Sequence, residues 1–148
     1  MELDRKTIRR LAGRAEEASR GCYAPYSRFA VGAAVLASSG RIYTGANVEN
    51  ASYPAGICAE RSAISRAVSA GERKILAVAI SGGPAEGERD FCPPCGICRQ
   101  VIREFCDPSS AKIILTRRVS GKGRAELAVR TLEELLPMSF GPDSLSGI

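Results

Sequence analysis

Cysteine opens two separate helix-like segments of this chain, and any fold it adopts must account for both. Cys58 precedes Ala59-Glu60-Arg61 in a stretch that runs to Ala70, with Ala59, Ala63, Ile64, Ala67 and Val68 apolar at helical spacing and Gly71 as a stop. Pro94-Cys95-Gly96-Ile97-Cys98 opens the other, which runs to Phe105 with Ile97, Val101 and Ile102 on one side. A helix N-terminus presents unpaired N–H groups and partial positive charge, which favour thiolate over thiol. Cys95 and Cys98 are spaced so that both sulfurs can face one metal from a single turn. A third thiolate from Cys58 leaves the fourth tetrahedral position to water. That is the pattern of a catalytic zinc, whereas a structural zinc is closed by four protein ligands.

Glu60 is placed to serve that open position. Two residues after Cys58 it cannot easily share the metal, but it can take a proton from water and pass it to a substrate. The chain has no His, which removes Ser-His-Asp and Cys-His catalysis and leaves proton transfer to groups such as this carboxylate. Three thiolates overcompensate the charge of a zinc ion, so something positive should offset them. Besides the two helix N-termini, Arg61 reads as a donor to thiolate sulfur. Other readings of the cysteines stand beside this one. A free Cys is often a small buried hydrophobe, and Cys22 and Cys106 read so. Cys92-Pro93-Pro94-Cys95-Gly96-Ile97-Cys98 contains overlapping C-x-x-C pairs, but Cys106 comes too late for the ferredoxin run. A closed four-cysteine zinc using Cys92 or Cys106 stays open.

The rest of the chain reads as one domain, residues 1–148, long enough for a sizeable core and too short for two ordinary domains. Residues 5–20 have the periodicity of a helix. Ala30 to Ala37 and Arg41 to Val48 flank Ser38-Ser39-Gly40 as a hairpin. Ile75 to Ile80 reads as a buried strand. Residues 81–94, with three Gly and three Pro, read as a loop. Ala111 to Leu115 and Ala125 to Val129 are strands, and Thr131-Leu132-Glu133-Glu134 has the capping-box pattern of a short helix ended by Pro137. The order α-β-β-α-β-α-β-β-α favours an α/β fold with one sheet covered by helices on both faces. Lys plus Arg is 21 against 16 for Asp plus Glu, a formal charge of +5 spread along the chain. A nucleic-acid polymer would need a clustered basic patch. The early acids of Met1-Glu2-Leu3-Asp4 do not make a signal peptide, and no apolar stretch reaches a membrane span. Clustered thiols without a secretory signal predict a cytoplasmic protein with no membrane partner.

Cys58-Ala59-Glu60 with Pro94-Cys95-x-x-Cys98 is similar to the zinc-dependent nucleoside and nucleobase deaminases. The nearer resemblance is to the short, homotetrameric cytidine deaminases, and it covers nearly the whole chain. It is carried by Phe29-Ala30-Val31-Gly32-Ala33-Ala34, Asn47-Val48-Glu49-Asn50-Ala51-Ser52-Tyr53-Pro54, Gly56 to Arg61, Pro94 to Gln100, and Glu134 to Pro137 with Ser139 to Pro142. The resemblance implies a three-layer α/β/α sandwich around a mixed five-stranded sheet. It implies a hydrolase that attacks C4 of cytosine with water, turning cytidine or deoxycytidine into the uracil nucleoside and ammonia. One zinc per chain would be held by Cys58, Cys95 and Cys98, with Glu60 as proton shuttle. Asn47 and Glu49 would hold the ribose 3′-hydroxyl, and Phe29 would pack on the pyrimidine. The N–H of Ala59 would meet the base O2, and the carbonyl of Pro93 the 4-amino group. Phe140, Ala51 and Tyr53 would reach a neighbour's site in a homotetramer. A deaminase of a cytosine-nucleoside analogue such as blasticidin S, and a non-catalytic zinc scaffold, are the alternatives; Asn47-Val48-Glu49-Asn50 and the Phe140-Gly141-Pro142 tail fit cytidine better, and Glu60 has no use in a scaffold.

Overall fold

Asp4 starts the first helix by accepting the Thr7 N–H on Oδ1 at 2.7 Å, which satisfies one of the donors a helix N-terminus leaves open. In the computed structural model, which describes residues 2–147, α1 spans Arg5–Ser19 and packs Leu11, Ala12 and Ala15 inward. The hairpin follows as β1 (Phe29–Ala37) and β2 (Ile42–Ala46), then α2 (Ala59–Ser69), β3 (Ile75–Pro84), α3 (Gly96–Glu104), β4 (Lys112–Arg117), β5 (Glu126–Thr131) and α4 (Leu132–Leu135). Short 3₁₀ turns lie at Tyr53–Ala55 and Pro142–Leu145. Thr131 and Glu134 form the reciprocal capping box that opens α4.

The five strands make one mixed sheet in the order β2-β1-β3-β4-β5. Only β3 and β4 run parallel, joined through α3. Alternation along β1 sends Ala33 and Val35 to one face, where they meet Ala59, Ala63 and Ile64 of α2 and Ile102 of α3. Ala34 and Leu36 face the other way, onto Leu11, Ala12 and Ala15 of α1. The two cores on either side of the sheet make the three-layer α/β/α architecture.

Several expected strand ends move by one or two residues, and one moves further. The strand β3 continues to Pro84, through Ser81, Gly82 and Gly83, where turn chemistry predicts a loop. The reason is pairing: Ser81, Gly82, Gly83 and Pro84 stand opposite Gly32, Val31, Ala30 and Phe29 of β1. A neighbouring strand that pairs along its whole length outweighs a poor local propensity.

Glycine sets how closely α2 approaches the sheet. A Cβ on Gly45 of β2 would collide with the backbone of Ala59, Ser62 and Ala63, the first turn of α2. We expect Gly45→Ala to cost about 2–3 kcal/mol, a fall in Tm of about 5–10 °C. It should also lower activity, because the displaced turn carries Glu60. Thermal unfolding beside an activity assay checks this; an unshifted Tm would show that the turn can yield.

Candidate active site

The two cysteine-bearing segments converge. Cys58 is the N-cap of α2 and Cys95 the N-cap of α3, and neither sulfur caps its own helix with a side-chain hydrogen bond. Both sulfurs are therefore left for the space between the helix starts. Their Sγ atoms stand 3.9 Å apart. Cys98, in the first turn of α3 and fully buried, joins them so that the three sulfurs lie within 4.8 Å of one another. This cluster is placed to hold a metal ion. All six cysteines are free thiols, and Cys22 and Cys106 are half-buried away from the cluster.

Charge around the sulfurs is arranged to keep a thiolate. The Cys98 hydrogen bond, helped by Arg61 and Cys95, holds the Cys58 thiol down at about 5. Arg61 Nη2 donates to Cys58 Sγ at 3.7 Å, and its Nε is buried with no partner among the described residues. The hydrogen bond between Cys98 and Cys58, with burial and the negative Glu60, pushes the Cys98 thiol up. Glu60 is 4% exposed, and its Oε2 accepts from Cys98 Sγ at 3.7 Å. Burial, with the Cys58 charge adding to it, pushes the Glu60 carboxyl up. A carboxylate so placed accepts a proton more readily than one in water.

The cluster forms the floor of a cavity of about 630 Å³, within the size range of small-molecule sites. It lies beyond the end of β3, where β1 begins and β2 ends. Asn47 and Glu49 line it, together with Tyr53, Ala59, Pro93, Cys58, Glu60, Arg61 and Cys95. Both amide groups of Asn47 also hold the edge of the sheet: Oδ1 accepts the Val31 N–H at 2.9 Å and Nδ2 donates to the Phe29 carbonyl at 2.8 Å. Glu49 Oε1 accepts the N–H groups of Tyr26 and Ser27 at 3.0 and 3.1 Å. The Ser27 bond, then that of Tyr26, lowers the Glu49 carboxyl below its ordinary range. One carboxylate oxygen of Glu49 and one amide hydrogen of Asn47 remain for a ligand. Arg99 braces the loop before α3, donating from Nε to the Pro94 carbonyl at 2.8 Å and from Nη1 to the Leu135 carbonyl at 2.6 Å.

Cys98 is buried behind this lining, and three residues named from the sequence as substrate contacts also lie outside it. Phe29 is 44% exposed at the first position of β1, and Val31, two residues on and on the same face, forms the wall instead. Strand alternation gives the right face for Phe29 but not its distance from the sulfurs. Ala51 and Phe140 are exposed and also stand apart from the cavity of their own chain. Conversely, Tyr26, Ser27, Val31 and Cys92 line it without having been singled out as ligand contacts. Tyr26 meets Tyr53 at a ring-centroid distance of 5.9 Å. The thiol of Cys92, pushed up to about 11 by burial with help from the charges of Glu60 and Cys58, is a neutral wall group.

Comparison with known proteins agrees with this arrangement. Residues 5–114 match the model of the cytidine and deoxycytidylate deaminase zinc-binding region. The chain is 41% identical over 144 residues to a cytidine deaminase of Halalkalibacterium halodurans, covering 97% of this chain and 99% of that one. Its fold superposes on the crystal structure of a cytidine deaminase from Burkholderia pseudomallei with a TM-score of 0.75 at 36% identity, over 93% of this chain and 100% of the other. For a cytidine deaminase from Mycobacterium tuberculosis the TM-score is 0.70 at 37% identity, over 95% and 99% of the two chains. With the match spanning both cysteine segments and nearly the full length of these relatives, the chain belongs to the zinc-binding cytidine and deoxycytidylate deaminase family.

Proposed function

We propose that this protein is a hydrolase that converts cytidine and 2′-deoxycytidine to uridine and 2′-deoxyuridine with release of ammonia. The observation that carries this reading is the buried Glu60 carboxylate beside three convergent sulfurs on the floor of a nucleoside-sized cavity.

Cys58, Cys95 and Cys98 would hold one zinc per chain. The donor set suits it: tetrahedral zinc with Zn–S of about 2.3 Å places two sulfurs about 3.8 Å apart, and Cys58 and Cys95 are 3.9 Å apart. Zinc held there supplies the Lewis acid that makes water a nucleophile at neutral pH. The residues of the chain do the rest. Glu60 takes the proton that water loses as its oxygen bonds to C4, and delivers it to the ring nitrogen N3. Glu60 then takes the second proton from the hydroxyl now bonded to C4 and passes it to the 4-amino group, so the C4–N4 bond breaks, ammonia leaves and the ring carbonyl forms. Pro93 offers its carbonyl to the amino group, and the Ala59 N–H at the head of α2 offers a donor to the base O2. Asn47 and Glu49 hold the 3′-hydroxyl with the hydrogen and oxygen left over from their bonds to the backbone. The 2′ position is then unread, so ribose and deoxyribose are both accepted.

We place the enzyme in the cytoplasm as a homotetramer. No described helix is long and apolar enough to cross a membrane. The support for assembly is the set of aromatic and apolar side chains left exposed: Tyr53 at 74%, Phe140 at 62% and Met138 fully. Ala51 and Tyr53, with Phe140 from the tail, would complete a neighbouring copy's cavity.

Ammonia release from cytidine tests the assignment, and cytidine monophosphate tests its substrate class. Among the described residues Arg61 is the one cation in the cavity lining, and Cys58 already engages it. A 5′-phosphate therefore finds no free cation in a lining that also carries the carboxylates Glu49 and Glu60. We expect kcat/KM on the monophosphate to be lower by about 100-fold or more, since like-charge juxtaposition costs several kcal/mol. Equal rates on the two would overturn the nucleoside reading.

A further inference from the structure

Arginine is rarely buried without a partner, and Arg103 near the end of α3 is 6% exposed. Its partners belong to the C-terminal tail. Nε donates to Ser139 Oγ at 2.9 Å, and Nη2 pairs with Asp143 Oδ1. The tail crosses directly over the guanidinium at Gly141, where a Cβ would collide with Cζ and both terminal nitrogens. One turn earlier on α3, Gln100 Nε2 donates to the Phe140 carbonyl at 3.0 Å. Beyond the crossing, the Gly141 N–H donates to Ser144 Oγ at 3.1 Å and the Ser144 N–H to the Gly141 carbonyl at 2.9 Å. The backbone on both sides of Phe140 is thus held, while its ring is 62% exposed.

We propose that Arg103, with Gln100, is a positioning residue that clamps residues 139–143 onto α3 and fixes where the Phe140 ring is presented to a second copy of this chain. This rests on the reading that Phe140 completes a neighbour's cavity. A chain terminus without such ties frays. Ordering it before association removes a cost that binding would otherwise carry. The clamp also sits on the helix whose first turn carries Cys95 and Cys98, so one rigid element indexes the tail to its own chain's sulfurs while the ring serves another cavity.

The test uses the zinc-loaded oligomer, with cytidine kinetics and amide hydrogen exchange of residues 138–147. In Arg103→Met, which keeps the buried stem, exchange of the Gly141 and Ser144 amides should accelerate. The KM for cytidine should rise about tenfold, the scale of one lost aromatic anchor, with kcat little changed. Gly141→Ala, which changes no residue of α3 and instead sets a Cβ against the guanidinium, should do the same with Arg103 in place. Phe140→Ala should raise KM to a similar degree with normal tail exchange, and adding Arg103→Met to it should raise KM no further, because both act through one ring. Unchanged exchange in Arg103→Met and Gly141→Ala would overturn the clamp. So would faster exchange with normal KM while Phe140→Ala is impaired, or multiplicative KM effects in the double variant. A normal KM in Phe140→Ala itself would instead remove the shared-cavity reading, and the positioning role would fall with it even if the tail loosened.

Discussion

Glu60→Gln should abolish turnover of cytidine, by about 10⁴-fold or more, while the fold and the metal content stay as they are. A single general acid–base step is worth about 10²–10⁴-fold, and the proposed mechanism asks Glu60 to serve both the attack of water and the departure of ammonia, so the loss should reach or pass the upper figure. Gln keeps the shape of the side chain and an oxygen for the Cys98 thiol. Burial already pushes the Glu60 carboxyl up, so removing its charge relieves the fold at neutral pH. The variant should bind cytidine with near-normal affinity and fail only in chemistry. Single-turnover kinetics beside metal analysis separates these outcomes; a variant retaining most of its turnover would show that the proton takes another route.

The second large effect is on the metal. Cys98→Ala should reduce bound zinc from one per chain to a small fraction and take activity with it. Cys98 is the fully buried member of the cluster, and its thiol bridges Cys58 and Glu60. Its loss leaves two sulfurs on two different helices, and an open site with two thiolates holds zinc weakly. Cys22→Ala and Cys106→Ala remove thiols outside the cluster and should retain zinc in full. Elemental analysis of the purified variants decides the matter. Full occupancy in Cys98→Ala would mean that another thiol, Cys92 being the near candidate, completes the set.

The convergence of the two cysteine segments was legible in the sequence because its signals are local. Cys58 and Cys95 announce themselves as the residues before two periodic apolar stretches, and helix starts are where thiolates are favoured. Glu60 follows from the chemistry that the cysteines demand when His is absent. The order of elements was legible for the same reason, down to the capping box at Thr131. What the sequence hid depends on neighbours. The strand at Ser81–Pro84 exists because β1 runs beside it, against its own glycines and proline. Val31 and Tyr26 line the cavity because a strand edge and a loop meet there, and no spacing rule joins residues of those two segments. Phe29 has the right parity but stands at the end of its strand, and how far a strand's first side chain lies from a site set by other elements is a tertiary fact.

Asn47 and Glu49 hold the edge of the sheet and the Tyr26–Ser27 loop with the same two side chains that line the cavity. A change at either position that alters what the enzyme accepts also frees backbone groups of β1 or its entry loop. Natural drift and laboratory selection toward new substrates are therefore constrained at these two positions and freer at Val31. That side chain faces the same space with no polar duty elsewhere, so the route by which this scaffold acquires a new substrate runs through its apolar wall.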